Sequence, residues 1–212
     1  KLIKGENMSE KYISSRMKKI PPSGTINMFE TALSLEKKGE KIFHLEVGEP
    51  DFDTPINIKN AAIKYLEKGM THYTSSRGIY ELRSAISNDL SKRGCNYSEE
   101  EILVTPGAKH AILASFLSTL QAGDEVIIFT PAWPTYEVMV KMAEAKPVLI
   151  PTDDTYDINI DLMQENINER TKMIILNSPN NPTGGVLGKE KISEIAEIAK
   201  DKNLLILSDE IY

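Results

Sequence analysis

The sequence predicts an α/β fold: a mostly parallel sheet covered by helices on both faces. Two patterns predict it. From residue 102 onward, short β-rich runs are separated by helical patterns; the runs are 102–105, 126–130, 147–151, 173–177 and 204–208. The runs are also apolar along most of their length, which is typical of strands that are buried on both faces. Because parallel neighbours need crossover connections, we expect the intervening helices to lie against the sheet.

Two of the helical patterns between the runs have a clear apolar face. The face predicted after the first run contains Leu113, Phe116, Leu117 and Leu120. The face predicted near residues 190–200 contains Ile192, Ile195, Ala196 and Ala199. Side chains at this helical spacing point to one side of a helix, so we expect them to pack against the sheet.

Three further helices are predicted before residue 102, each stopped by a glycine. They are 26–38 with Gly39, the helix that begins at the cap pair Thr54 and Pro55 and stops at Gly69, and 79–93 with Gly94. In the third helix we expect Leu82, Ile86 and Leu90 to face inward. No clean linker divides residues 46–212, so the expected organisation is an arm and helix in residues 1–45 and one domain in residues 46–212.

Composition excludes several functional classes. A net charge of -6 and a pI near 5.3 argue against general affinity for nucleic acid or for an anionic membrane surface. Cys95 is the only cysteine and the histidines have no ligand spacing, so neither an intrachain disulfide nor a metal site is expected. No apolar run approaches the length of a membrane span. We therefore expect a cytoplasmic protein that acts on small molecules.

Ligands of open parallel sheets bind beyond the carboxyl ends of the strands, which makes the residues after each run informative. After the first run, Gly107 precedes a predicted helix whose free backbone N–H groups suit a phosphate. A tight strand-to-helix turn needs glycine in any case, so this signal alone leaves both interpretations open. The fourth run is followed by an amide-rich loop, NSPNNPTGG at 177–185. Asp209 follows the last run with no local cation, either as a helix cap or as a buried anion facing a cationic ring.

Four ordered motifs carry a family resemblance that extends from about residue 16 to residue 212. They are VGEPDFDTP, THYTSSRGIYELR, NSPNNPTGG and SDEIY. In this order and spacing they resemble class I aminotransferases of the aspartate aminotransferase type, which depend on pyridoxal 5'-phosphate (PLP) and have PLP fold type I. The resemblance implies a truncated large domain, incomplete at its C-terminal end, with residues 1–45 contributing to the small domain.

The resemblance assigns cofactor contacts residue by residue. It implies that the turn at Gly107, Ala108 and Lys109 binds the PLP phosphate through backbone N–H groups. Trp133 matches the aromatic residue that stacks on the pyridine ring, although a surface tryptophan in a proline-flanked turn is the alternative. The remaining matches are Asn181 and Tyr212 for the phenolic oxygen, Asp209 for the pyridine nitrogen, and Tyr73 for the phosphate in a neighbouring subunit. The last match implies a homodimer with shared sites.

Substrate contacts follow from the same resemblance. Gly48 matches a loop glycine near the α-carboxylate of the substrate, where a simple turn is the alternative, and Trp133 and Asn181 also border the substrate. Ser23, Thr25 and Lys109 match positions that receive the distal carboxylate of an acidic substrate in one prokaryotic branch. We therefore expect transfer of an amino group from aspartate to a 2-oxo acid such as 2-oxoglutarate. Lys109 as a solvated helix lysine, and a relative acting on aromatic or other amino acids, are the alternatives.

No catalytic residue is assigned within residues 1–212, because the family's Schiff-base lysine is expected beyond Tyr212. The arginine that binds the α-carboxylate is expected still further along. The chain alone is thus predicted to be inactive. Other interpretations are a PLP-dependent C–S lyase or decarboxylase, a non-catalytic PLP-fold module, and a nucleotide-binding α/β domain. The last is disfavoured because the chain lacks a G-x-G-x-x-G fingerprint and a correctly spaced P-loop.

Overall fold

A computed structural model describes residues 12–212. The chain forms two compact units, one with bounds Lys1–Pro21 and Pro106–Tyr212 and the other with bounds Pro22–Thr105. The division predicted at residues 45 and 46 differs from these bounds and stays a prediction. No helix in the described part of the chain has the length and apolar character needed to cross a membrane.

The unit Pro22–Thr105 contains three helices, which confirms the three predicted from the sequence. They are α1 (Gly24–Glu36), α2 (Ile56–Glu67) and α3 (Tyr80–Lys92), followed by a 3-10 turn at Glu99–Glu101. The predicted bounds are correct to within two residues. At the end of α3, Gly94 adopts a φ of 86° and the amide of Cys95 donates to the carbonyl of Leu90. The backbone conformation explains why glycine stops this helix.

The inward face predicted for α3 is partly wrong. Leu82 is 42% exposed, whereas the neighbouring Arg83 is only 7% exposed. The Arg83 guanidinium donates to the carbonyl of Gly78 at 3.2 Å and to the carbonyl of Glu99 at 2.5 Å. These bonds orient α3 so that the arginine, and not the leucine, faces the 3-10 turn.

The strand predicted at residues 102–105 is also wrong. The segment is extended but pairs with no strand in the described chain. The amide of Val104 donates instead to the carbonyl of Arg77 at 3.0 Å. Val104 lies against Gly78 of this loop and Ile102 is buried, whereas Leu103 is 58% exposed, so packing explains the apolar run only in part.

The unit that contains residues 106–212 has one four-stranded sheet, and it confirms the parallel α/β prediction. Its strands are β1 (Glu125–Thr130), β2 (Lys146–Pro151), β3 (Thr171–Asn177) and β4 (Leu205–Asp209). Their order is β2-β1-β3-β4, and every pair is parallel. The carboxyl ends of all four strands consequently lie at one edge of the sheet.

Helices cover both faces of this sheet. They are α4 (Ala108–Thr119), α5 (Thr135–Met142), α6 (Ile160–Glu165) and α7 (Lys189–Asp201). One buried cluster joins α4 and α5 to strand residues such as Val126 and Ile128, and the other joins α6 and α7 to Ile127 and Phe129. Alternating strand residues thus enter opposite cores. Each fully buried side chain of this size stabilises the fold by about 1.5–3 kcal/mol.

Only some of the residues on each predicted helix face are buried. Phe116 of α4 and Ile195 of α7 are fully buried. Leu117 and Ile192 are 56% and 41% exposed, and Ala196 is exposed as well. The buried members of the predicted faces are four apart, Phe116 with Leu120 and Ile195 with Ala199, whereas the sequence pattern selects a wider stripe.

The amino end of the sheet contains a buried carboxylate, Glu125, which is 2% exposed. Its oxygens accept from Asn168 Nδ2 at 2.8 Å and from Lys146 Nζ at 3.1 Å, and Arg170 Nη2 lies 3.0 Å away. The hydrogen bond from Asn168, followed by the two cations, holds the pKa of Glu125 below its usual value. This carboxylate therefore joins the starts of β1 and β2 to the loop before β3.

Candidate active site

The start of α4 has the geometry of an anion-binding turn. Gly107 precedes the helix with a φ of 90° and a ψ of 160°, a conformation that is essentially restricted to glycine. The N–H groups of Ala108 and Lys109 lie in the first helical turn and so have no intrahelical acceptor. Together with the helix dipole, they can bind a phosphate.

Lys109 and Trp133 lie against each other. The ammonium nitrogen of Lys109 is 5.2 Å from the centroid of the Trp133 ring, within the range of a cation–π interaction. Trp133 is half-buried and meets the ring of Tyr136 edge to face, with centroids 5.3 Å apart. The turn after β1 and the start of α4 are thereby joined, so Trp133 is not an isolated surface residue.

Asp209 ends β4 as a buried carboxylate that is 8% exposed. Its Oδ2 accepts a hydrogen bond from the Tyr136 hydroxyl at 2.5 Å, and its Oδ1 accepts from the amide of Ile211 at 3.2 Å. No ion pair within the described residues involves Asp209. A buried carboxylate ordinarily needs a cationic partner, so this position suits a positively charged ligand group.

Tyr136 was missed as a site residue by the sequence prediction. Its pKa is raised well above the usual range, first because the phenol is buried and then because it donates to Asp209. The hydroxyl consequently remains a hydrogen-bond donor at physiological pH. Its signal in the sequence is only its position three residues after Trp133 in a short amphipathic helix, where an aromatic residue also fits a core.

Asn177 is a second residue that the prediction assigned no role. It ends β3 directly opposite Asp209, and its Nδ2 donates to the Asp209 carbonyl at 2.9 Å. Its Oδ1 accepts from the amide of Asn181 at 2.8 Å. Asn177 therefore connects two of the predicted cofactor contacts. The signal available in the sequence was an amide at the end of an otherwise buried run.

Asn181 and Tyr212, both predicted to contact the phenolic oxygen of PLP, lie next to each other. Asn181 Nδ2 donates to the Tyr212 hydroxyl at 3.1 Å. Asn181 is half-buried, whereas Tyr212 is 68% exposed. Two polar groups that were predicted to converge on one ligand atom are thus adjacent in the structure.

The loop between β3 and α7 is held by the neighbouring asparagine, Asn180. Its Nδ2 donates to the carbonyl of Pro131 at 3.1 Å and to Thr183 Oγ1 at 2.9 Å. Its backbone amide donates to the carbonyl of Gly185 at 2.9 Å. Asn180 therefore fixes the loop, which leaves Asn181 to present its side chain at the carboxyl edge of the sheet.

Four predicted contacts lie in the other compact unit, Pro22–Thr105, and their roles stay predictions. The Ser23 hydroxyl caps α1 by accepting from the amide of Ile26 at 3.4 Å, a structural role the prediction did not include. Thr25 and Gly48 are exposed, and the Tyr73 side chain is fully exposed.

Comparison with known proteins decides the family. A family model for class I and II aminotransferases matches residues 40–212. The chain belongs to this family. A probable aspartate aminotransferase from Methanocaldococcus jannaschii is 43% identical over 201 residues, covering 94% of this chain and 52% of that protein. The predicted resemblance is thus confirmed.

Solved aminotransferase structures have the same fold. Aspartate aminotransferase from Thermus thermophilus with maleate superposes with a TM-score of 0.92 at 37% identity, covering 94% of this chain and 53% of that one. An aromatic aminotransferase from Pyrococcus horikoshii has a TM-score of 0.75 at 42% identity, covering 77% and 45%. This aminotransferase chain therefore spans about half the length of its relatives and has fold type I.

PLP is the cofactor of this family, and the arrangement at the carboxyl edge fits it. The phosphate can bind at the first turn of α4, since the N–H groups of Ala108 and Lys109 have no acceptor in the helix. The buried Asp209 has no cationic partner among the described residues, and the protonated ring nitrogen of PLP would be one. Asn181 and Tyr212 offer polar hydrogen atoms for an oxyanion.

Proposed function

We propose that the protein containing this chain is a PLP-dependent aminotransferase that moves an amino group from aspartate to a 2-oxo acid such as 2-oxoglutarate. The observation that carries the proposal is the buried Asp209 carboxylate, which has a donor on each oxygen and no ion-pair partner in the described chain. When bound, PLP supplies a protonated ring that accepts the electrons left as the Cα proton departs.

In this proposal, the residues of this chain bind PLP and orient it. Asp209 keeps the proton on the ring nitrogen, because a fixed negative charge favours the cationic form. The first turn of α4 binds the phosphate, and Trp133 offers a flat face beside it. Asn181 and Tyr212 stabilise the ionised phenolic oxygen by donating hydrogen bonds. Proton transfer at Cα is assigned to no residue among 1–212.

Lys109 is the proposed receptor for the distal carboxylate of aspartate, and the matches of Ser23 and Thr25 to the same role stay predictions. An ammonium group and two hydroxyls are suitable donors for a carboxylate. The placement of the Lys109 ammonium over the Trp133 ring supports this role, since it holds the charge beside the proposed cofactor face. Gly48 is proposed to lie near the α-carboxylate.

The proposal also includes a homodimer in which Tyr73 reaches the phosphate of the neighbouring subunit. Complete exposure of the Tyr73 side chain leaves it available for such a contact. Sedimentation of the full-length protein at micromolar concentration should give twice the monomer mass. A cytoplasmic location, also predicted from the sequence, is tested by cell fractionation with an antibody to the native protein.

The activity is tested on the full-length protein that contains this chain. We expect PLP binding, seen as visible absorbance that follows the protein on gel filtration, and amino transfer from aspartate to 2-oxoglutarate. An Asp209→Asn variant keeps the shape but loses the charge, so kcat should fall by about a hundredfold or more. Asp201→Asn, an exposed change at the end of α7, is the matched control. Full activity of Asp209→Asn would refute the role of the carboxylate.

A second donor class is tested in the same assay, because an aromatic aminotransferase is among the similar structures. Phenylalanine, alanine and aspartate are compared by kcat/KM. A clear preference for phenylalanine would replace aspartate as the donor while leaving the reaction type unchanged.

A further inference from the structure

The contact between Tyr136 and Asp209 differs from the other polar contacts of the site in its burial. Tyr136 is 2% exposed, and its hydroxyl lies 2.5 Å from Oδ2 of a carboxylate that is itself 8% exposed. The two residues are 73 positions apart and meet because Tyr136 lies at the start of α5 and Asp209 at the end of β4. Hydrogen bonds between a hydroxyl and a carboxylate are short and strong when water is excluded.

The tyrosine hydroxyl is restricted to the donor role. Burial raises the pKa of Tyr136, and the hydrogen bond to Asp209 raises it further. The hydroxyl therefore keeps its proton, and the bond always runs from the phenol to the carboxylate. Within the described part of the chain, the other carboxylate oxygen accepts only from a backbone amide, that of Ile211 at 3.2 Å. Among the described side chains, Tyr136 is thus the one that donates a hydrogen bond to the Asp209 carboxylate and can stabilise its negative charge.

We propose that Tyr136 is a positioning residue that keeps the Asp209 carboxylate ionised and oriented toward the ring nitrogen of PLP. This inference rests on the proposed function. With PLP bound, one proton would be shared between Asp209 and the ring nitrogen, and it could lie on either atom. A phenol that donates a hydrogen bond to the carboxylate stabilises the state in which Asp209 is ionised and the ring nitrogen is protonated. Without that donor, the proton shifts toward Asp209 and both groups become neutral.

The competing explanation is that Tyr136 only fills space. Its ring contacts Trp133 edge to face at 5.3 Å and belongs to the core between the sheet and α4 and α5. Tyr136→Phe retains this ring and removes only the hydroxyl, so it separates the two explanations. A packing role predicts altered stability with no change in the protonation of the ring nitrogen.

The test uses the full-length protein loaded with PLP that is labelled with 15N in its ring. In the wild type we expect the 15N chemical shift of a protonated pyridine. In Tyr136→Phe we expect a displacement toward the unprotonated value. We also expect kcat for aspartate to fall about ten- to hundredfold, with KM changed less than about threefold. Tyr156→Phe, at a tyrosine that is 51% exposed, is the matched control and should leave both readouts unchanged.

A graded variant protects the test against misfolding of Tyr136→Phe. 3-Fluorotyrosine at position 136 keeps the ring and makes the hydroxyl a stronger donor, so the 15N shift should stay at or move further toward the protonated value. An unchanged 15N shift in Tyr136→Phe, or equal effects of both substitutions, would overturn the inference while leaving the proposed function standing. Failure of the wild type to bind PLP would overturn the proposed function, and the inference with it.

Discussion

Asn177 and Asp209 face each other across the paired ends of β3 and β4, and the Asn177 side chain bonds to the Asp209 carbonyl at 2.9 Å. The same side chain accepts from the amide of Asn181. One amide thus fixes the backbone of two predicted cofactor contacts.

We therefore expect Asn177→Ala to weaken both the fold and the cofactor site. Loss of two partly buried hydrogen bonds should lower the free energy of unfolding by about 1–3 kcal/mol and weaken PLP binding by about tenfold. Urea unfolding and PLP titration of the full-length protein measure these effects. Asn166→Ala is the matched control, since its side-chain amide donates to the carbonyl of Leu162 in α6, away from the cofactor contacts. Unaltered PLP affinity in Asn177→Ala would contradict this role.

Lys109→Ala should change donor selectivity. If the ammonium receives a distal carboxylate, kcat/KM for aspartate falls about ten- to hundredfold, whereas kcat/KM for alanine falls less than about threefold. Steady-state kinetics with both donors provide the measurement. Lys200→Ala, in the last turn of α7, controls for the loss of one positive charge. Equal losses for the two donors would remove the argument for aspartate.

Gly107→Ala should be far more harmful than Gly188→Ala, although both glycines immediately precede a helix. Gly107 has a φ of 90°, whereas Gly188 has a φ of -68° that any residue adopts. A Cβ at either position meets no atom within 4 Å, so the backbone angle alone separates them. We expect Gly107→Ala to cost about 1–3 kcal/mol in thermal or urea unfolding and to weaken PLP binding. Equal stability of the two variants would show that the turn is not constrained.

The buried Glu125 should make stability depend on acid. Its pKa is lowered in the folded state, so its contribution is complete above the unfolded value near 4.5 and is lost as the pH falls through the folded pKa. In urea unfolding, Glu125→Gln should lose about 1–3 kcal/mol near pH 7, because two cations lose their partner. The difference in the free energy of unfolding between Glu125→Gln and the wild type should become smaller below pH 4.5. Glu169→Gln, an exposed change in the loop before β3, is the matched control and should unfold like the wild type near pH 7.

The sequence was sufficient for the sheet because apolar runs and glycine stops are local signals. Four of the five predicted strands form, and Asp209 and Asn181 lie at the edge where the parallel arrangement places strand ends. The segment 102–105 has the same local pattern as the four strands, yet the amide of Val104 donates to a carbonyl in a loop. Strand pairing depends on distant partners, which a run of β-branched residues does not specify.

The connections within the site could not be predicted for the same reason. Tyr136 meets Asp209 from 73 residues away, and Asn177 contacts Asp209 across 32. At the level of the sequence, Tyr136 is one more aromatic residue in an amphipathic helix. Arg83 shows the converse error: a charged residue is buried where Leu82 was expected, because carbonyl groups of a nearby turn accept its hydrogen bonds.

The sheet has a buried carboxylate at each end, and the two differ in whether cationic side chains of the described residues pair with them. Glu125 is neutralised by side chains of the polypeptide itself, so its end of the sheet is complete without a ligand. Among the described residues, Asp209 has only neutral donors. A cationic ligand at that end would act as the missing counter-ion, so its binding and the folding of β4 would be thermodynamically linked. The saturated holoprotein would then resist unfolding more than the apoprotein, and most strongly at the carboxyl edge.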